Sequence, residues 1–218
     1  MPEPRIERPD IPEYLTWDEL QRLPQEIAAE IELWDGRVVW LRRGPGEHQL
    51  YTGLFWNSLL RCARRDMAEY PDHCWQANFE TNVFLRQGNK DDFVTPDFLV
   101  YRCLGEDYAD VSAADVLLAG EVLSPSNTVR DVEAKKARYA AGGIPSYWEV
   151  VLGRDPRRIA TVRAYALETG HGRLPEGITA LRPTNYILAG EWAPDSAPEG
   201  IRIGFPFPID IPWSDLDF

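Results

Sequence analysis

Two carboxylates and a lysine are the residues best placed to do chemistry. Asp97 follows Thr95-Pro96 and opens the apolar run Phe98–Tyr101, and Glu121 lies inside the apolar run Val116–Leu123. A carboxylate within a core strand is costly to bury unless a counter-charge or a metal ion holds it. Two of them on neighbouring strands suit a hard divalent cation such as Mg²⁺, which takes one or two carboxylates plus water and phosphate oxygens. Taken singly, Asp97 also fits a turn or cap residue, and Glu121 an edge-strand residue facing solvent. Lysine usage points the same way. Of 23 Lys and Arg residues, lysine stands only at positions 90, 135 and 136. Arginine stays protonated, whereas a lysine near a metal can be tuned to orient or deprotonate a water. Val132, Lys135 and Tyr139 share one helical face, with an Asp131–Lys135 surface pair as the plainer alternative.

The elements that must position these groups follow from local pattern. Prolines at 2, 4, 9 and 12 make residues 1–13 an extended arm. Thr16-Trp17-Asp18-Glu19 fits a capping box that opens a first helix, interrupted by Pro24, with a second short helix over Gln25–Ala29. Ile31–Leu33 and Arg37–Leu41 flank Asp35-Gly36, a hairpin dipeptide. Helical spacing of Tyr51, Leu54, Phe55, Leu59 and Cys62 predicts a long helix from His48 to Met67. Strands are expected at Trp75–Leu85 and Phe93–Tyr101, joined by a polar loop over Gln87–Asp92, and then at Val116–Leu123. Ser124-Pro125-Ser126-Asn127 supplies loop and cap residues before a helix over Val129–Ala141 that ends at Gly142-Gly143. Tyr147–Leu152, Ile159–Leu167 and Ile178–Ile187 read as strands. The tail, with prolines at 194, 198, 206, 208 and 212, holds only short edge strands. The order describes an α/β fold with a mixed sheet.

Composition bounds the rest. At 218 residues, 44% apolar and 27% charged, the chain forms one well-buried core. No apolar run approaches the ~20 residues of a membrane span, and the amino terminus lacks a secretory apolar segment, so a cytoplasmic location is expected. Three cysteines without CxxC spacing exclude a disulfide scaffold and argue against a zinc cluster. The net charge of −12 argues against nucleic acid only if charge is evenly spread, and it is not. Arg37–Arg65 carries six basic residues and one acidic, while Glu191–Phe218 carries six acidic and one basic. Arg42, Arg43, Arg61, Arg64 and Arg65 form a candidate phosphate-binding surface, or simply a solvated patch.

Thr95-Pro96-Asp97, Glu121-Val122-Leu123-Ser124-Pro125-Ser126, Asp131-x-x-x-Lys135-x-x-x-Tyr139 and Gly143-Ile144-Pro145-Ser146-Tyr147-Trp148 resemble the Uma family of restriction-endonuclease-like proteins, within the PD-(D/E)xK nuclease superfamily. Glu32-Leu33-Trp34-Asp35-Gly36 and a helix-opening His48 extend the resemblance to about residues 14–190. It implies a restriction-endonuclease-like fold, a mixed β-sheet flanked by helices over 14–190, with 191–218 as a Pro-rich acidic tail packed on it. It implies Asp97 and Glu121 as catalytic metal ligands, joined by the backbone carbonyl of Val122 and, from the hairpin, by Glu32. Leu123 stands where the superfamily has its lysine, so the catalytic lysine falls to Lys135, with Lys136 as the fallback. His48 is expected either to contact a phosphate or to cap its helix.

The function so implied is a Mg²⁺-dependent endonuclease, with Mn²⁺ as a substitute, acting on DNA phosphodiester bonds. Cutting both strands suits a homodimer, and the apolar segment Phe205–Ile209 offers a surface for it. The alternative is a catalytically lapsed nuclease fold serving as a nucleic-acid or protein-binding module. A hydrolase of some other phosphate ester is the third, for which no Gly-rich phosphate loop is present.

Overall fold

A tight turn sets the first element pair. Asp35 and Gly36 both take positive φ, 53° and 79°, the conformation that a two-residue hairpin demands and that Asp-Gly adopts at low cost. It joins β1 (Ile31–Trp34) to β2 (Arg37–Trp40). Ahead of it stand α1 (Trp17–Leu20), closed by the expected Thr16–Glu19 capping box, and α2 (Gln25–Ala28) beginning after Pro24. The computed structural model describes residues 10–41, 44, 46–106, 109–124, 127–154, 158–169 and 184–217. Arg42, Arg43 and the 178–183 part of the expected strand lie outside the described residues.

The remaining elements are α3 (Gly46–Glu69), β3 (Trp75–Phe79), β4 (Val83–Arg86), β5 (Asn89–Val94), β6 (Phe98–Arg102), β7 (Val111–Ser112) and β8 (Val116–Leu123), then α4 (Val129–Ala141), β9 (Ser146–Leu152), β10 (Ile159–Thr169), β11 (Thr184–Trp192), β12 (Ile201–Ile203) and β13 (Ile209–Ile211). A six-stranded sheet runs β11-β10-β9-β8-β6-β3. Its pairs are antiparallel except β8 with β9, which are parallel and joined through α4.

Alternation along the strands fills both faces. Phe98, Val100, Leu118, Val122, Trp148 and Val150 pack with Tyr51, Phe55 and Leu59 of α3. Their neighbours Leu99, Tyr101, Ala119 and Tyr147 pack with Tyr139 and Ala140 of α4. This explains the unbroken apolar reading of Val116–Leu123, since a strand covered on both sides shows no period of two. Each fully buried Leu, Val or Phe here contributes about 1.5–3 kcal/mol. Gly120 makes room for a ring: a Cβ there would lie 2.0 Å from the side chain of Phe98, its register partner.

Two expected strands split. The 75–85 run breaks at Glu80, which takes φ 45° and donates its N–H to the Asp97 carbonyl. The 93–101 run breaks at Thr95-Pro96-Asp97, where proline supplies no ladder N–H. The expected loop over Gln87–Asp92 is mostly β5, because Gly88 at φ 76° makes the turn within two residues. α4 is capped by Thr128, whose Oγ1 accepts from the Asp131 amide at 3.2 Å, and not by the 124–127 segment.

The carboxy-terminal segment folds onto α3. Ile201, Phe207, Ile209 and Ile211 are buried in the α3-side core, so most of the apolar tail expected to meet a second copy is used within the chain. Arg61 pairs with Asp215 and Arg65 donates to the Pro208 carbonyl at 3.2 Å. These two members of the candidate phosphate surface are thus tied to the tail. Cys74 and Cys103 form a disulfide that joins the start of β3 to the residue after β6, and Cys62 is free and buried. The odd count hid a single bridge because spacing of 29 residues carries no local signature. Among the described residues no helix is long and apolar enough to cross a membrane.

Candidate active site

Strand ends and one helix build the site. Asp97 sits immediately before β6 and Glu121 near the end of β8, one residue past the last β6–β8 pair, Phe98 with Gly120. Beyond that pair the edge of β8 faces Asp97. The Val122 N–H donates to Asp97 Oδ2 at 2.6 Å. A strand residue directs its N–H and C=O to the same side, so the Val122 carbonyl faces Asp97 too. Asp97 Oδ2 also meets His48 Nε2 at 3.0 Å. His48, expected to touch phosphate or cap its helix, is a buried partner of Asp97 from the first turn of α3.

The lysine arrives from the helix covering this face. Lys135 Nζ lies 2.9 Å from Glu121 Oε1, 3.2 Å from Glu32 Oε1 and 3.1 Å from the Thr95 carbonyl. Tyr139, one turn further along α4, donates its hydroxyl to the same Glu121 oxygen at 2.5 Å. Both Asp97 contacts fall on Oδ2 and both Glu121 contacts on Oε1, so neither Asp97 Oδ1 nor Glu121 Oε2 is engaged by them. Glu32, 1% exposed, receives the Thr95 amide on Oε1 at 2.7 Å and the Trp34 indole N–H on Oε2 at 2.8 Å. Its carboxylate is held by protein donors on both oxygens, and it enters the site as a partner of Lys135. Among the described residues no three His, Cys, Asp or Glu side chains converge as a metal cage. The Lys135 ammonium lies between Glu121 and Glu32.

Charge states follow from burial. Burial raises the Glu121 carboxyl to about 7, with Asp97 adding to the rise and Lys135 and Tyr139 opposing it. Burial disfavours the Lys135 ammonium, but Glu121, Glu32 and Asp97 outweigh it and raise its pKa above the ordinary lysine value. Burial likewise opposes the His48 imidazolium, yet the hydrogen bond and charge of Asp97 lift its pKa. Lys135 is therefore a fixed cation and hydrogen-bond donor rather than a base.

Lys136 turns elsewhere. Its Nζ meets Glu149 at 2.7 Å and Glu133 at 3.0 Å and lies 4.2 Å over the Tyr165 ring. Several site partners escaped the sequence. Tyr139 carried a signal, its four-residue spacing from Lys135. The Thr95 carbonyl and the brace of Arg138 on buried Asp92 carried none, because contacts over tens of residues leave no local pattern; the Trp34 indole stands two residues from Glu32 on one strand, a same-face spacing that could have suggested the pair.

A mixed sheet with α3 and α4 on opposite faces and acidic residues at the β6–β8 junction defines a nuclease-type α/β fold. The solved structure of a putative nuclease belonging to DUF820 from Anabaena variabilis is similar to it, with a TM-score of 0.51 at 19% identity over 70% of this chain and 79% of that one. The profile of the Uma2 family, described as putative restriction endonuclease, matches residues 17–187. The chain belongs to the Uma2 family. No curated protein matches it.

Proposed function

We propose that this protein is a Mg²⁺-dependent endonuclease that hydrolyses DNA phosphodiester bonds at the centre formed by Asp97, Glu121 and Lys135. The observation that carries the proposal is the meeting of Lys135 with Glu121 beside the Asp97 carboxylate, at the junction of β6 and β8. Family membership supports a nucleic-acid substrate. Asp97, Glu121 and the Val122 carbonyl form an all-oxygen donor set, which fits Mg²⁺ and accepts Mn²⁺. When bound, such an ion polarises a phosphoryl oxygen and lowers the pKa of a water.

The chain's own groups do the rest. His48 fixes Asp97 through Oδ2, and Tyr139 fixes Glu121 through Oε1. Lys135, protonated throughout the neutral range, donates to the attacking water and offsets the negative charge that grows on the phosphoryl oxygens. Glu32 holds Lys135 and, through the Thr95 amide, the turn that carries Asp97. The helix thus delivers the cation that the superfamily places two residues after the glutamate.

The test is nicking of supercoiled plasmid in Mg²⁺, in Mn²⁺ and in EDTA, with Glu121→Gln and Lys135→Ala beside the unmutated chain. Nicking that requires metal and falls about 10²-fold or more in each variant is expected, the size of effect that follows removal of one transition-state charge partner. Nicking that survives Glu121→Gln overturns the assignment. Absence of nicking by the unmutated chain, with retained DNA binding, favours the binding-module alternative, for which the leucine at 123 speaks.

A further inference from the structure

A second feature adjoins this centre across the sheet. Glu121 pairs in register with Glu149 of β9, Glu149 with Arg163 of β10, and Arg163 with Glu191 of β11. Register partners share a face, so a charged row runs from the catalytic glutamate under the amino-terminal half of α4. Above this row opens a cleft of about 490 Å³ between the β8–α4 connection, α4 and the β9–β10 strands. It begins at Leu123 and Ser124, two and three residues after Glu121. Adjacent lysines of α4 divide between the two places: Lys135 serves the catalytic centre, and Lys136 walls the cleft.

The lining combines cations and apolar surface with two carboxylates, Glu133 and Glu149, both of which Lys136 pairs. Arg154 is exposed at the rim and has no partner among the described residues, and Arg163 engages Glu191 through Nε alone, at 2.5 Å. The first turn of α4 opens onto the cleft at Asn127 and Val129. Thr128 Oγ1 caps the Asp131 amide there and its carbonyl takes the Val132 amide, while the Val129 and Arg130 amides meet no acceptor among the described residues and are of the kind that meets an anion. Val132, Val151 and Tyr165 form an apolar wall, and Val129 stands 80% exposed beside it. An anion alone has no use for that wall, and an apolar ligand has no use for the arginines. A nucleotide uses both.

We propose that the cleft seats one nucleotide of the substrate strand next to the cleaved bond, with its phosphate on Arg154, Arg163 and the start of α4, and its base against Val132 and Tyr165. The proposal rests on the endonuclease reading for the direction of the strand, but its test needs no cleavage. Titrations in EDTA measure binding of thymidine 5′-monophosphate, inorganic phosphate and a labelled 12-nucleotide single strand. The unmutated chain is compared with Arg154→Ala and Val132→Trp, two partly or fully exposed positions, and with Val132→Ser should the bulky variant fail to fold. Thymidine monophosphate is expected to bind more tightly than phosphate and to weaken at least fivefold in Val132→Trp. Arg154→Ala is expected to lower the salt slope of single-strand binding by about 0.7, the share of one phosphate contact. Equal affinity for phosphate and thymidine monophosphate overturns the proposal, as does an unchanged affinity in Val132→Trp. Plasmid nicking alongside unchanged nucleotide binding removes the cleft and leaves the nuclease standing. Cleft-dependent nucleotide binding without nicking supports the cleft and removes catalysis.

Discussion

Replacing Lys135 by methionine keeps the length of the side chain and removes its charge. Glu32 and Glu121 are 1% and 8% exposed, and Lys135 is the cation that both contact. Removing one partner of a buried ion pair costs about 3–5 kcal/mol, because an uncompensated charge stays behind. The carboxyls have an escape, which is to take up protons. A carboxyl held neutral in the folded state costs about 1.4 kcal/mol for each pH unit above its unfolded pKa of about 4.3. Its folded pKa is raised, so the folded state binds more protons and stability falls as pH rises. Lys135→Met is therefore expected to lose about 3–5 kcal/mol at pH 8 and only about 0–2 kcal/mol near pH 6 after two units of that slope. For a domain of this size the loss at pH 8 corresponds to about 6–20 °C in Tm. Urea unfolding in EDTA, followed by tryptophan fluorescence at pH 6, 7 and 8, reads both the loss and its slope. Adding Glu121→Gln to the variant is expected to recover part of the loss at pH 8. A loss below 1 kcal/mol at pH 8 with no pH dependence would show that the carboxylates do not depend on the lysine, and the electrostatic account of the site would be wrong.

Two further outcomes test the frame around the centre. His48 has a raised folded pKa, so its contribution is present below its unfolded value near 6.5 and is lost as pH rises through the folded one. Unfolding in EDTA should show His48→Gln destabilised at pH 5.5 and close to the unmutated chain at pH 9; an equal gap at both would mean the imidazolium is not what holds Asp97. Gly120→Ala forces its methyl against the Phe98 ring, and denaturant midpoints should report a loss of about 1–3 kcal/mol or more, as overpacked cores do; an unchanged midpoint would refute the close packing of that row.

What was legible in the sequence was local. The Asp35-Gly36 hairpin, the Thr16 capping box, Val116–Leu123 as a strand and α4 ending at Gly142-Gly143 all follow from residue type at fixed offsets, and the structure has each of them. The break of the 75–85 run was not legible, because Glu80 takes its positive φ while donating to Asp97, a contact across 17 residues; the break of the 93–101 run was, since Pro96 can donate no ladder N–H. Arg61 and Arg65 looked like a phosphate surface because charge patterning says nothing about what a helix face meets. Here it meets a tail that lies more than 140 residues away in sequence. Within the site, Asp97, Glu121 and Lys135 could be picked by type and spacing. The contact of Asp97 with His48 and the capture of Glu32 by the Thr95 amide could not, since each depends on how distant elements pack.

That stacking accounts for the leucine at position 123. Residues 121 and 123 of a strand point to the same face, so a lysine at 123 would also stand over the face that α4 covers. The proposed chemistry requires a cation within hydrogen-bond reach of Glu121 on that face, whichever element supplies it. α4 runs over the face between β8 and β9, and its one-turn spacing sets Lys135 and Tyr139 on a single glutamate oxygen. A helix-borne lysine has a consequence that a strand-borne one lacks. Anything that shifts α4 against the sheet moves Lys135 and Tyr139 together, and Lys136, on the same helix, moves with the wall of the neighbouring cleft. Position 123 is then free to be apolar and to line that cleft. The proposed centre and the cleft beside it are thus set by one element, and an occupant of the cleft would bear directly on the helix that carries Lys135.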